Sequence, residues 1–102
     1  MKEISIRDLQ NAITKIEHKN NAIDKCFYKL TEEVGELAKV IRKDKRLINS
    51  KTIKDTIEEE LYDVLYYVMR LANMYDIDLT ECAILKEQLN AEKYGRKSIF
   101  VE

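Results

Sequence analysis

Two stretches decide the fold: Thr31-Glu32-Glu33-Val34-Gly35-Glu36-Leu37 and, downstream, Glu58-Glu59-Glu60-Leu61-Tyr62-Asp63-Val64. Both read as helix. Each sets two acids three residues apart, Glu33 with Glu36 and Glu60 with Asp63, and residues at that spacing share one helix face. Apolar residues at helical spacing flank both pairs, so the acids stand close to the face that should be buried. Like charges there cost stability unless something neutralises them. A hard divalent cation does so through oxygen ligands, and Mg²⁺ is the usual choice where phosphates are also present. With 36% of the chain charged, a lone Glu-x-x-Glu marks an ordinary solvated face. Two pairs, each beside a long apolar stripe on helices that a short loop makes antiparallel, carry more.

Working outward, 102 residues with 45% apolar content suit a single folded domain spanning 1–102 whose own core is limited. Two Gly, no Pro and no Trp favour helix throughout. A net charge of −1, from 18 basic and 19 acidic residues, leaves no electrostatic footprint for a nucleic-acid polymer or an anionic membrane. Met1-Lys2-Glu3-Ile4-Ser5 lacks the apolar core of a signal peptide. The longest apolar run, Val64 to Met69, is far too short to span a bilayer. Cys26 and Cys82 have no metal-type spacing and read as free, buried thiols of a reducing cytoplasm.

Four helices are expected. Ser5 with Asp8 forms a capping-box start, and Ile6, Leu9, Ile13 and Ile16 mark one face of a helix to about His18. Lys19-Asn20-Asn21 reads as a break, after which Asp24 can cap a second helix. That helix carries a stripe of Phe27, Leu30, Val34, Leu37 and Ile41. Gly35 within it is either tolerated or needed for a close backbone approach. Thr52 and Asp55 predict a third helix from about Ile53 to Met74. Its middle, Leu61 to Met69, is apolar or aromatic nearly all round, which implies burial on several sides and a second subunit to cover it. Asp63 within that segment is the most anomalous charge in the chain. Asp78 with Glu81 starts a last helix, Leu79 to about Tyr94, with Cys82, Leu85 and Leu89 inward and Gly95 closing it.

Other chemistries fit poorly. His18 is the single histidine and lacks the Glu three residues earlier that a di-iron carboxylate bundle requires. No nucleophile elbow and no Gly-rich phosphate loop are present. Tyr62, Tyr66 and Tyr67 read as core or subunit interface rather than a base-stacking platform.

The acid pattern resembles a known family. Glu32-Glu33-Val34-Gly35-Glu36, then 23 residues, then Glu60-Leu61-Tyr62-Asp63 is similar to the Glu-Glu-x-x-Glu … Glu-x-x-Asp signature of the MazG-type all-α nucleoside triphosphate pyrophosphohydrolases. The flanks agree, and the resemblance covers about Cys26 to Tyr94. It implies a four-helix MazG-like bundle with helices shared across a homo-oligomer interface. It also implies hydrolysis between the α- and β-phosphates, giving a nucleoside monophosphate and pyrophosphate, with Mg²⁺ as cofactor or Mn²⁺ standing in. Carried over, Glu33, Glu36, Glu60 and Asp63 would be the metal ligands, Glu32 a supporting partner or alternate ligand, and Glu33 or Glu36 the general base. The last helix resembles the family's Lys-x-x-x-Asn-x-x-Arg-Tyr-Pro ending through Lys86, Asn90 and Tyr94. Lys93 replaces Arg and Gly95 replaces Pro, and Lys keeps the charge but loses the bidentate fork. Lys86, Asn90, Lys93 and Tyr94 would bind nucleotide.

The resulting expectation is a cytoplasmic nucleotide pyrophosphohydrolase that clears surplus or non-standard nucleotides and pairs with its own copies. Two rivals stand beside it: phosphoribosyl-ATP pyrophosphohydrolase, and a helical dimer that binds or regulates without catalysis.

Overall fold

The computed structural model describes residues 2–17 and 22–100. They form α1 (Ile6–Ile16), α2 (Ile23–Arg42), α3 (Ile57–Met74) and α4 (Leu79–Lys93), with a 3-10 turn at Leu47–Asn49 between α2 and α3. No strand occurs among the described residues. The expected all-α, four-helix architecture is therefore what the chain adopts. The principal packing is α2 on α3; α1 lies on α3, and α4 on α1. The central pair is antiparallel, since Cys26 near the start of α2 meets Tyr67 late in α3, while Glu33 meets Glu60 and Asp63.

Local chemistry explains the helix ends. Ser5 and Asp8 form the expected capping box on α1. Asp78 caps α4 by accepting from the N–H groups of Thr80 and Glu81. Three helices close in the same way, with a left-handed residue just past the cap: Asp44 after α2, Asp76 after α3 and Gly95 after α4. In each, the next amide bonds back to the last turn (Lys45 to Val40, Ile77 to Ala72, Arg96 to Ala91), the Schellman arrangement.

Several expectations need correction. α1 ends at Ile16, and His18 and the Lys19-Asn20-Asn21 break lie outside the described residues. α2 begins after Ala22 with no side-chain cap; Asp24 instead sits in the first turn, where its charge suits the helix dipole. α3 begins four residues later than expected. Asp55 has φ +63°, which stops a helix there, and Thr56 is the cap, its hydroxyl accepting from Glu59 N. The Thr56 hydroxyl cap, with Glu59 reaching back to Asp55 N, is the start signal that outranks Thr52. Cys82, Leu85 and Leu89 face outward; α4 buries Glu87 and Ala91. Cys26 is buried as expected, but Cys82 is exposed. No described group comes within 4 Å of a Cβ placed on Gly35, so nothing in the described chain demands a glycine there.

The helices use different stripes from those expected. α2 turns Cys26, Leu30, Glu33, Leu37 and Val40 inward, whereas Phe27, Val34 and Ile41 are exposed. Leu61 and Tyr62 on α3 are exposed as well. Among the described residues, Met69 is the one large side chain with no exposure. The chain presents 8147 Å² of surface, against roughly 6,000 Å² for a compact monomer of this length. Its radius of gyration is 16.3 Å, against about 13 Å for a compact domain.

Gln10 ties the two ends of the fold together. Its amide donates to Asn73 Oδ1 at 3.0 Å and to Ile77 O at 2.8 Å, and its carbonyl oxygen accepts from Leu79 N at 3.0 Å. Gln10→Leu leaves these buried partners unsatisfied. It is expected to cost about 2–4 kcal/mol in a urea unfolding measurement, whereas Asn11→Leu, on the exposed face of α1, should cost under about 0.5 kcal/mol.

Candidate metal centre

α2 and α3 bring three acids to one point. Ligand oxygens of Glu33, Glu60 and Asp63 all lie within 4.8 Å of one another. Two helices supply them because the inward stripe of α2 contains Glu33 and the first turns of α3 contain Glu60 and Asp63. Glu60 is 8% exposed, the deepest of the three. The α3 N-terminus favours negative charge nearby, but burial works against it. Burial, the Glu33 carboxyl and the Asp63 charge raise Glu60 from 4.5 to about 7. Asp63 is also pushed up, first by burial and then by Glu33 and Glu59.

The hydrogen-bond inventory points the same way. Glu60 Oε2 is buried and has no partner. An ionised carboxylate left so is costly, and a proton, a cation or a hydrogen-bond donor satisfies it. Three convergent carboxylates with an orphaned oxygen are the donor set of a hard divalent ion, so the residues fit the metal that the acid pattern suggested. Glu33, Glu60 and Asp63 would hold it.

The remaining candidates lie around this centre. Glu36, one turn beyond Glu33, is exposed and pairs with Lys39 at 3.2 Å. Glu32 is exposed and pairs with Lys29 at 3.3 Å. Lys29 also approaches Glu33 at 3.7 Å, placing one cation at the rim of the acids. Lys86, Asn90, Lys93 and Tyr94 are carried by α4, which packs chiefly on α1; Lys93 Nζ lies 5.3 Å from the Tyr94 ring centroid.

Further residues border the acids. Glu59 accepts from Asp55 N at 2.9 Å, pinning the α2–α3 connection to the turn that bears Glu60. Lys29 stands four residues before Glu33, a spacing that could have flagged it. A groove of about 420 Å³ opens beside the acids, lined by Ala22, Lys25, Cys26, Lys29, Tyr67, Arg70 and Met74. It begins one turn from the cluster on both helices, at Lys29 and Tyr67. No sequence pattern marks it, because its walls come from two elements. A cavity of about 340 Å³ between α1 and the end of α3 lies apart from the acids. Its Glu17 is engaged by Tyr66 at 2.5 Å and Arg70 at 3.2 Å, and its Arg7 by Asp78 at 2.7 Å.

An antiparallel helix pair with a carboxylate cluster in its seam defines an all-α protein equipped for divalent-ion chemistry. The family model for the MazG nucleotide pyrophosphohydrolase domain matches residues 21–97, and the chain belongs to that family. It is similar to the crystal structures of iMazG from Vibrio DAT 722. The Ntag form is 42% identical, with 91% of this chain and 100% of that chain covered and a TM-score of 0.80. The Ctag form is 41% identical, with 85% and 98% covered and a TM-score of 0.77. Comparison with curated proteins gives no match.

The raised Glu60 fixes a pH response. Between 4.5 and about 7 the folded chain holds a proton that the unfolded chain has lost. Metal-free stability therefore falls as pH rises through that window, by on the order of 2–3 kcal/mol. Melting scans of chelator-treated protein at about pH 5 and about pH 8 check this. Glu60→Gln should show a flatter pH response than wild type, and Mg²⁺ should restore wild-type stability at the higher pH. Equal slopes in both proteins would count against the assignment.

Proposed function

We propose that the chain is a Mg²⁺-dependent nucleoside triphosphate pyrophosphohydrolase that cleaves between the α- and β-phosphates. The observation carrying this reading is the convergence of Glu33, Glu60 and Asp63 around a buried, unpartnered carboxylate oxygen. Carboxylates repel a polyphosphate, so such a site is useful to a nucleotide only with a cation between them. A bound Mg²⁺ (or Mn²⁺) would neutralise phosphate charge and lower the pKa of a water.

The residues then divide by position. Glu33, Glu60 and Asp63 would hold the ion. Glu36 lies outside the cluster and is exposed, so a carboxylate oxygen of Glu36 takes the proton of the attacking water. Water's oxygen bonds to the α-phosphorus, the bond from that phosphorus to the bridging oxygen breaks, and pyrophosphate leaves. Glu32 orients Lys29 at the rim. The groove beside Tyr67 has the volume for a nucleoside and starts one turn from the acids, so the base and sugar lie there.

Self-association belongs to the same proposal. The surface exceeds that of a compact monomer by roughly 2,000 Å², the scale of an obligate subunit interface. Phe27, Val34, Ile41, Leu61 and Tyr62 are exposed on the helices that carry the acids. Lys86, Asn90, Lys93 and Tyr94 on α4 are the further nucleotide contacts of this reading.

The test is pyrophosphate release from a panel of nucleoside triphosphates with Mg²⁺. Turnover of at least one is expected, with Glu60→Gln and Asp63→Asn each slowing it on the order of 100-fold or more. If folded, metal-bound protein turns over no nucleotide, the enzymatic reading fails. Turnover of phosphoribosyl-ATP alone would move the assignment to the histidine-pathway rival.

A further inference from the structure

We propose that Lys45 and Lys54, in the connection between α2 and α3, form the seat for the departing pyrophosphate; this rests on the nucleotide reading above. The connection from 43 to 56 carries Lys43, Lys45, Arg46, Lys51 and Lys54 against two acids, Asp44 and Asp55. Arg46 is committed, bonded to Glu58 at 3.0 Å. Among the described residues none of the four lysines has a carboxylate partner, and all are exposed. A net-basic connection beside one buried and two half-buried acids is a local charge separation, which attracts an anion that bridges both.

Backbone bonds fix two of these lysines beside the start of α3, the helix that carries Glu60 and Asp63. The carbonyl of Lys45 accepts from Ile57 N at 2.8 Å, which sets Lys45 against the first residue of α3, three before Glu60. Lys54 adjoins Asp55, whose N–H donates to the Glu59 carboxylate at 2.9 Å, and its own amide is turned by Thr52 Oγ1 at 3.2 Å. Glu58 holds the same loop down from the other side, accepting from Leu47 N at 3.0 Å.

The order along the helices gives the direction. On α2 the groove residues Cys26 and Lys29 precede Glu33, and the connection follows. On α3 the connection comes first, then Glu60 and Asp63, then Tyr67 and Arg70. The acids therefore sit between the groove and the basic connection, about one helical turn from the groove on both helices and about one turn from the connection on α3. From Tyr67 back to Ile57 is ten residues, about 15 Å of axial rise. A nucleotide with its nucleoside in the groove and its α-phosphate at the acids must run its β- and γ-phosphates toward Lys45 and Lys54. The inverse pose would put the apolar-faced base against solvated lysines.

Isothermal titration of the full chain with pyrophosphate in the presence of Mg²⁺ reads this without catalysis. Lys45→Ala/Lys54→Ala is expected to weaken pyrophosphate binding roughly tenfold and to leave nucleoside monophosphate binding unchanged. Lys45→Arg/Lys54→Arg should restore it. Lys2→Ala/Lys15→Ala, distant exposed lysines, controls for net charge. Equal pyrophosphate affinity in wild type and the alanine variant overturns the proposal, as does equal loss for both ligands or an absence of pyrophosphate binding by wild type. Failure of the enzymatic reading shows separately, as absent turnover by a wild type that still discriminates the two ligands.

Discussion

Putting carboxylates into the seam between α2 and α3 is the constraint on which the rest depends. Glu33, Glu60 and Asp63 crowd within 4.8 Å at a place where water is partly excluded. Their mutual repulsion works directly against the contact that holds the central helix pair together. Without a cation the strain is relieved by a proton, which is why Glu60 titrates near neutrality, and in part by Lys29. The fold and the site are thus coupled: whatever neutralises the acids also stabilises the seam.

The surroundings are arranged to keep those acids in place. Thr56 caps α3 one turn before Glu60, Glu59 reaches back to Asp55, and Glu58 grips Leu47 and Arg46. Three consecutive glutamates therefore do three jobs at one helix start, two folding the connection down and one facing inward. At the far end, Gln10 and Asn73 lock α1 to the α3–α4 turn. Glu87 does the same for the C-terminal segment: it is bound by Arg96 and by Ile99 N at 2.8 Å, and those partners hold its carboxyl down near 2.

Much was legible from local chemistry. The Ser5 and Asp78 starts, the Gly95 stop, the helical class and the two acid pairs all depend on neighbours within four residues, and such short-range rules survive in the fold. The α3 start was misplaced because two Thr signals compete within five residues, and the left-handed Asp55 decides between them. The inward faces of α2 and α4 were misassigned for a different reason. Apolar spacing marks a stripe but not its occupant, and in this chain α2 turns Glu33 inward while leaving Val34 out.

By itself the sequence determined four helices and two carboxylate pairs, because capping, periodicity and i,i+3 spacing act within a single helix. Only the tertiary structure decided which acids meet. The antiparallel register of α2 on α3 selects Glu33, Glu60 and Asp63 and leaves Glu36 outside with Lys39. It also opens the groove at Tyr67 and sets the basic connection against the first turn of α3. These are relations between elements distant in sequence, fixed by how side chains pack across the helix pair, and no spacing along one strand of residues encodes them.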